Sequence, residues 1–350
     1  MIRKVVQIVQ VAFTYIGTVV GAGFASGQEI LQFFTKYGWM ATATIAFATL
    51  LFTWLGIKLM LLANELNAKS YEDLIKELFG ARLGGWIGLF MLVILFGVST
   101  VMLAGAGSLF SEHLHLSYQT GLIITMILAY FIIAKGMQAI VAVNSLVVPV
   151  MLVFTAAIVW ATWELPGAQN WLVLESDYPL HRIWFSPLLY AAFNMASAQA
   201  VLVPLGSAIR DRSAIFWGGL LGGLGIGIML LACHFALSAQ MPGIMQFEIP
   251  MGHIIYPLGT TVVFMYIAVI YGEIFTTLVA DVYGLSLQLE QRTKWNQKAI
   301  IAIILAAAYS VSQIGFSKLL STLYPLFGVV SLIWFVSIVW RRENRLPRNT

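Results

Sequence analysis

Two stretches of this chain carry residues that could do chemistry at membrane depth. The first is Gly17-Thr18-Val19-Val20-Gly21-Ala22-Gly23-Phe24-Ala25-Ser26-Gly27-Gln28-Glu29, inside an apolar segment from about Val5 to Phe34. A glycine in a helix interior costs about 1 kcal/mol relative to alanine, so this stretch predicts a broken helix. Broken backbone in hydrocarbon leaves N–H and C=O groups unpaired, which is tolerated only where protein or a cavity supplies partners. The break is either a place where backbone meets a ligand or a close helix contact, since Gly17/Gly21 and Gly23/Gly27 are each four apart. The second stretch is Tyr271-Gly272-Glu273-Ile274-Phe275-Thr276-Thr277. Helical spacing puts Glu273, Thr276 and Thr277 on one face. A carboxylate with two hydroxyls one turn on is a hard-oxygen set, suited to Na+ or to a proton carried on the carboxyl. The structural alternative is a glutamate bonded to a neighbouring broken helix.

Few other intramembrane side chains can ionise, and each is a functional candidate by default. Glu29 follows the break in the first turn of the next half-helix, where the dipole favours an anion. It is either a cap for freed N–H groups or a gate. Asp281 is a gate or an ion-pair partner for basic residues at the same membrane face. His234 reads as a core histidine. Asn144 and Ser145 read as interhelical hydrogen bonds or as pathway lining. The run Gly218-Gly219, Gly222-Gly223, Gly225 and Gly227 reads as helix packing, not as a phosphate loop, since no Lys-Ser/Thr follows it. No His, Asp and Glu cluster with catalytic or metal spacing is visible, which argues against an enzyme. The single cysteine, Cys233, excludes an internal disulfide and a Cys-based metal site.

The elements that must position these residues are membrane helices. Of the 350 residues 60% are hydrophobic and only 10% charged, against about 25% charged in soluble domains. Mean hydropathy is +0.88. Ten apolar runs approach or exceed the roughly 20 residues a spanning helix needs, at about 5–35, 38–64, 84–110, 118–134, 137–163, 183–209, 213–239, 260–288, 298–314 and 319–341. Ser70 with Asp73 marks the start of an amphipathic interface helix, and Pro250 to Pro257 a short helix over the bundle. Lys and Arg collect at one side: Arg3, Lys4, Lys69, Lys135, Arg210, Arg212, Arg292, Arg341 and Arg342. Glu112, Glu164, Glu175, Asp177 and Glu248 lie in the opposite loops. The positive-inside rule then puts both termini in the cytoplasm of a multi-pass protein of a bacterial-type inner membrane. The net charge of +4 is accounted for by this topology and indicates no nucleic-acid partner.

Five spans per half run the second half opposite to the first, the pattern of inverted-repeat transporters whose first helix in each half is broken. This makes one transmembrane domain over 1–342, with repeats of about 5–164 and 183–342 and a short tail at 343–350. Span 6 should then also be broken. Its centre, Asn194-Met195-Ala196-Ser197-Ala198-Gln199, is small and polar, and such groups in hydrocarbon face a partner or a cavity. The expected substrate site lies between the breaks, with the N–H groups of Val20, Gly21, Ala22, Gly23 and Phe24 on one side. Tyr190, Asn194, Ser197 and Gln199 lie on the other.

Gly21-Ala22-Gly23-Phe24-Ala25-Ser26-Gly27-Gln28-Glu29 with Phe33-Phe34 resembles the first-helix motif of the YkvI-type bacterial membrane proteins, which are grouped with amino-acid permeases. The resemblance spans the whole chain. It implies the LeuT fold of the amino acid–polyamine–organocation superfamily and an amino-acid substrate. More distantly, Gly17 to Gly23 is similar to the unwound segment of LeuT-fold sodium symporters. That likeness implies an ion held by carbonyls of Gly17 and Val20 with the hydroxyls of Thr276 and Thr277. Glu273 departs from it, standing where those symporters commonly have a small residue. The resemblance thus implies a cation-coupled symporter, with Na+ or H+ as coupling ion and no other cofactor. The alternative is a transporter-like nutrient sensor, since the superfamily includes spore germinant receptors. Oligomeric state is left open.

Overall fold

The computed structural model describes residues 2–68, 70–133 and 138–343, and everything found there is helix or connecting loop. Lys69, Lys135 and the tail from 344 lie outside the described residues, as do the side chains of Asn144, Ser145, Arg341 and Arg342. The first apolar segment is three pieces, α1 (Ile2–Val19), α2 (Ala22–Ser26) and α3 (Gln28–Phe33). Then come α4 (Met40–Leu66), α5 (Tyr71–His113), α6 (Tyr118–Ile133), α7 (Gln138–Thr162) and the short α8 (Asn170–Val173). The second half holds α9 (Leu180–Ala208), α10 (Arg212–Ser238), the short α11 (Pro250–Ile254), α12 (Thr260–Thr293), α13 (Gln297–Ser312) and α14 (Phe316–Glu343).

Among the described residues, six helical segments are long and apolar enough to cross a membrane: Met40–Leu66, Gly84–His113, Leu180–Ala208, Arg212–Ser238, Thr260–Glu290 and Phe316–Ile333. Four shorter apolar helices, Lys4–Val19, Tyr118–Ile133, Pro149–Thr162 and Gln297–Ser312, fall where the other expected spans lie. Many outward side chains are large and apolar, among them Trp160, Trp163, Val153, Phe131 and Ile228. Water does not tolerate so much exposed apolar surface, whereas lipid does. Ser70 caps α5 as its spacing predicts: its hydroxyl accepts from Asp73 N–H, and the Asp73 carboxylate accepts from Ser70 N–H, both at 3.1 Å. Gly80, at φ 78°, then turns the chain from this interface helix into the spanning part of α5.

The glycine run of α10 packs helices, as its sequence indicates. A Cβ at Gly218 or Gly222 would overlap Val11 or Tyr15 of α1. A Cβ at Gly219, Gly223 or Gly227 would overlap Ile57, Thr53 or Thr49 of α4. α10 is thus wedged between α1 and α4, while α9 packs on α4 and α14, and α12 on α5, α7 and α13.

One expectation is corrected: α9 is a single unbroken helix from Leu180 to Ala208. Two residues of its polar centre bond back within the ladder. Asn194 Nδ2 donates to the Tyr190 carbonyl at 3.0 Å, and Ser197 Oγ to that of Phe193 at 3.3 Å. Such back-bonding lets hydroxyls and amides sit in an intact apolar helix. Without glycine at its centre, α9 lacks the residue that makes the first segment break.

Gly223→Leu should force α10 from α4, at a cost of about 1–3 kcal/mol for overpacking. Thermal unfolding in detergent should show a clear loss for this variant. Gly243→Ala, where a Cβ meets nothing within 4 Å, should unfold like the wild type.

Candidate functional site

The backbone ladder of the first segment runs as far as the Val20 N–H, which donates to the Ile16 carbonyl at 2.8 Å. It resumes where Ala25 N–H donates to the Gly21 carbonyl at 2.9 Å. Between them the amides of Gly21, Ala22, Gly23 and Phe24 and the carbonyls of Gly17, Thr18, Val19 and Val20 fall out of the ladder. Gly21, at φ −112° and ψ −166°, is extended, which ends α1 and starts α2. A second interruption follows at Gly27, whose φ of 83° separates α2 from α3. That left-handed conformation is open to glycine at little cost. The break is deeply buried: Val20 and Phe24 are 0% exposed and Ala22 1%.

The residues around the break come from four other helices. α12 packs on α2, and its Tyr266 hydroxyl donates to the Ala25 carbonyl at 2.9 Å. α9 brings Tyr190, whose ring is packed by Phe33 at 5.2 Å, Phe34 at 5.1 Å and Phe52 at 5.8 Å between centroids. α10 supplies His234, fully buried, with Nδ1 3.1 Å from the Thr35 hydroxyl, a core histidine as its setting suggests. α14 supplies Tyr324 and Ser317, the latter accepting from Gln28 Nε2 at 2.6 Å.

Glu29 is not a helix cap. It stands in the first turn of α3, yet the Gln28 N–H there goes to the Ser26 hydroxyl at 3.3 Å and not to the Glu29 carboxyl. Its carboxyl instead folds back onto Gly23, where any Cβ would overlap it. It lies beside the Tyr190 hydroxyl, and both that hydroxyl and Glu29 Oε2 lack a partner of normal hydrogen-bond geometry. Tyr324 is within electrostatic reach of both Glu29 and Asp281. Asp281 pairs with no Lys or Arg among the described residues, and its Oδ2 is buried without a partner. The ion-pair reading of Asp281 is thereby corrected: it sits inside the bundle near Tyr324 rather than at a basic end. Sequence inspection missed Tyr324, because a tyrosine in an apolar span carries no signal of what it faces.

The remaining candidates fall into two places. Asn194 and Ser197 stay within the α9 ladder, while Gln199 is fully buried with Nε2 3.7 Å from Met91 Sδ and Oε1 unpartnered. On α12, Glu273 is 6% exposed and Thr276 4%. The Thr276 hydroxyl donates to the Glu273 carbonyl at 3.3 Å, and Thr277 is half-buried one residue on. A cavity of about 370 Å³ opens beyond the Phe33 ring rather than at the break itself. Lys36, Arg182, His181 and Ser186 supply its polar lining, and the Ser186 hydroxyl donates to the Phe33 carbonyl at 2.7 Å. Burial, and then the Arg182 charge, lower the Lys36 pKa to about 8.

A helix bundle wrapped around a buried, unwound first segment is the architecture of LeuT-fold membrane proteins. The structure of MhsT in complex with L-phenylalanine superposes on 96% of this chain and 98% of its own, with a TM-score of 0.64 at 12% identity. The chain belongs to the family of the membrane protein YkvI of Bacillus subtilis (strain 168), with which it is 40% identical over 96% of each sequence. It is also 24% identical to YyaD of the same organism over 93% of this chain and 94% of that protein. No protein-family model matches the chain. These relatives place it among multi-pass membrane proteins with a transporter-type fold and not among enzymes.

Two outcomes follow from this geometry. Gly23→Ala should lower the apparent melting temperature strongly in the wild-type background and much less beside Glu29→Ala. Equal losses in both backgrounds would show that Gly23 and Glu29 are not coupled. Lys36 in the unfolded chain holds its proton to about pH 10.4. Between pH 8 and 10 the unfolded state therefore binds more protons, so this group's contribution makes stability rise with pH. Thermal unfolding across that window should rise more for wild type than for Lys36→Met.

Proposed function

We propose that this protein is a secondary active transporter that moves a small solute, such as an amino acid, by alternating access. The observation that carries the reading is the buried gap in the first segment's ladder between Val20 and Ala25. Backbone freed at membrane depth is tolerated where it lines a site. Half-helix ends at such gaps hold substrate and coupling ions in inverted-repeat transporters. In this reading the freed amides of Gly21 to Phe24 hold a substrate carboxylate, with the Val20 amide excluded because Ile16 takes it. Tyr190, Asn194, Ser197 and Gln199 face the solute from α9. The ten helices act as two inverted sets of five, α1–α3 through α7 and α9 through α14, in the cytoplasmic membrane with both termini inside.

Coupling to Na+ or H+ would run through α12 and the break. The carbonyls of Gly17 and Val20, out of the ladder, offer two oxygens, and Thr276 and Thr277 two more. Glu273 supplies either the charge of an ion site or a proton carrier. Glu29 and Asp281 act as gates on either side of Tyr324. The likeness to MhsT, whose structure holds L-phenylalanine, supports the substrate class.

The test begins with a thermal-shift screen of purified protein against amino acids, amines and organic acids, with and without Na+ at two pH values. A bound ligand should raise apparent stability by mass action. The hit is then taken to counterflow in proteoliposomes. Accumulation of label establishes transport, whereas binding with no counterflow would make the protein a sensor. Thr276→Ala with Thr277→Ala should abolish any Na+ dependence of uptake. Glu273→Gln should abolish accumulation driven by a pH gradient if the carboxyl carries the proton. Wild-type coupling in both variants would remove the α12 site.

A further inference from the structure

Away from the break, the fold brings a distant histidine to two adjacent ligating side chains. Glu112 and His113 close α5, and His253 stands on α11. Their candidate ligand atoms all lie within 4.8 Å of one another. We propose that Glu112, His113 and His253 form a binding site for a divalent transition-metal ion with the ligand preferences of Zn2+.

His113 is 7% exposed, and its Nε2 is buried with no hydrogen-bond partner. The Nε2 of His253 is likewise buried and unpartnered. It stands 3.7 Å from Glu112 Oε2, too far for a hydrogen bond. The Ile249 carbonyl lies near the His113 ring without completing a bond of normal geometry. Two imidazole nitrogens and a carboxylate thus face one another in a partly buried pocket, with neither Nε2 hydrogen-bonded. A buried polar group left this way costs free energy, and an ion would recover it.

The surroundings fit a metal site as well. Ligating histidines generally bond their second nitrogen to an orienting group. His113 Nδ1 lies 3.1 Å from the Tyr256 hydroxyl; in the tautomer whose Nδ1–H donates there, Nε2 keeps its lone pair. Glu112 Oε1 accepts the Glu248 N–H at 2.8 Å and Oε2 the Ile249 N–H at 2.9 Å. Each oxygen retains a lone pair, and the carboxylate cannot swing away. The Phe247 ring stacks on His253 at 3.6 Å. Gly252 leaves the room that the His113 ring fills, since a Cβ there would overlap it. Zinc bonds of about 2.0–2.1 Å put tetrahedral ligands roughly 3.3 Å apart. From separations of up to 4.8 Å, the three groups therefore need to close by at most about 1.5 Å. Glu248 is not a fourth ligand: its carboxylate accepts from the Ser108 hydroxyl and the Phe316 N–H. The set offers three protein ligands and one open position.

The ion would tie α11 to the end of α5. α11 lies on the broken first helix, because Met251 occupies the space where a Cβ of Gly27 would stand. Binding would therefore hold the covering helix down on the break. The metal site itself does not depend on the transport reading.

The test uses full-length protein in detergent, stripped with EDTA and titrated with Zn2+ against a chromophoric chelator, then with Co2+ by absorption. One ion per chain is expected, with cobalt bands of four- or five-coordinate geometry. His113→Gln and His253→Gln should each weaken binding at least tenfold. His253→Cys should keep the site and add a thiolate-to-cobalt band in the near ultraviolet. Size exclusion and metal-free melting report whether each variant folds. If buried His113→Gln does not, the two half-buried His253 variants decide. Absence of stoichiometric binding overturns the proposal. So does wild-type affinity in His253→Gln together with no new band in His253→Cys.

Discussion

An amide or carbonyl in hydrocarbon without a partner costs several kcal/mol, and the first segment of this chain drops four of each between Val20 and Ala25. The surrounding bundle packs this region on several sides and pairs the carbonyl just past it. α12 sends the Tyr266 hydroxyl to the Ala25 carbonyl. α10 runs close enough to cover α1 because its glycines leave no side chain in the way. α9 places a tyrosine in a cage of three phenylalanines against the same region. No soluble core would demand this arrangement, since water could satisfy the freed groups.

The two halves meet that constraint unequally. Glycine breaks the first segment at Gly21 and again at Gly27, where a left-handed residue is required. The corresponding helix of the second half has alanine, asparagine and serine at its centre and stays whole. The short side chains bond back to their own carbonyls one turn earlier. Polarity in a membrane helix is therefore not by itself evidence of a break. Backbone freedom is, and only glycine supplies it here.

The buried carboxyls illustrate how tertiary setting changes a residue's part. Glu29 occupies a position where a glutamate would ordinarily cap a helix, but the absent Cβ of Gly23 offers its carboxyl a niche and it takes that instead. Asp281 stands near enough the basic face to pair there in a linear reading of α12. Inside the bundle its neighbour is Tyr324. Tyr190 lies beside Glu29, and Tyr324 is within electrostatic reach of both acids, a placement that only the juxtaposition of α3, α9, α12 and α14 creates.

The sequence by itself determined the membrane class, the positions of the apolar helices, the glycine break, the α5 cap at Ser70 and the packing role of the α10 glycines. Each depends on composition or on spacing within a single helix, which local physics reads directly. Only the packing of the helices shows that Glu29 packs on Gly23 and that Tyr324 is within electrostatic reach of both acids. It alone brought His253 to Glu112 and His113, 140 positions from the latter, where sequence spacing had shown no cluster. The physical reason is common to all three. Whether a polar group finds a partner depends on what distant helices place beside it, and spacing along one chain segment carries no record of that.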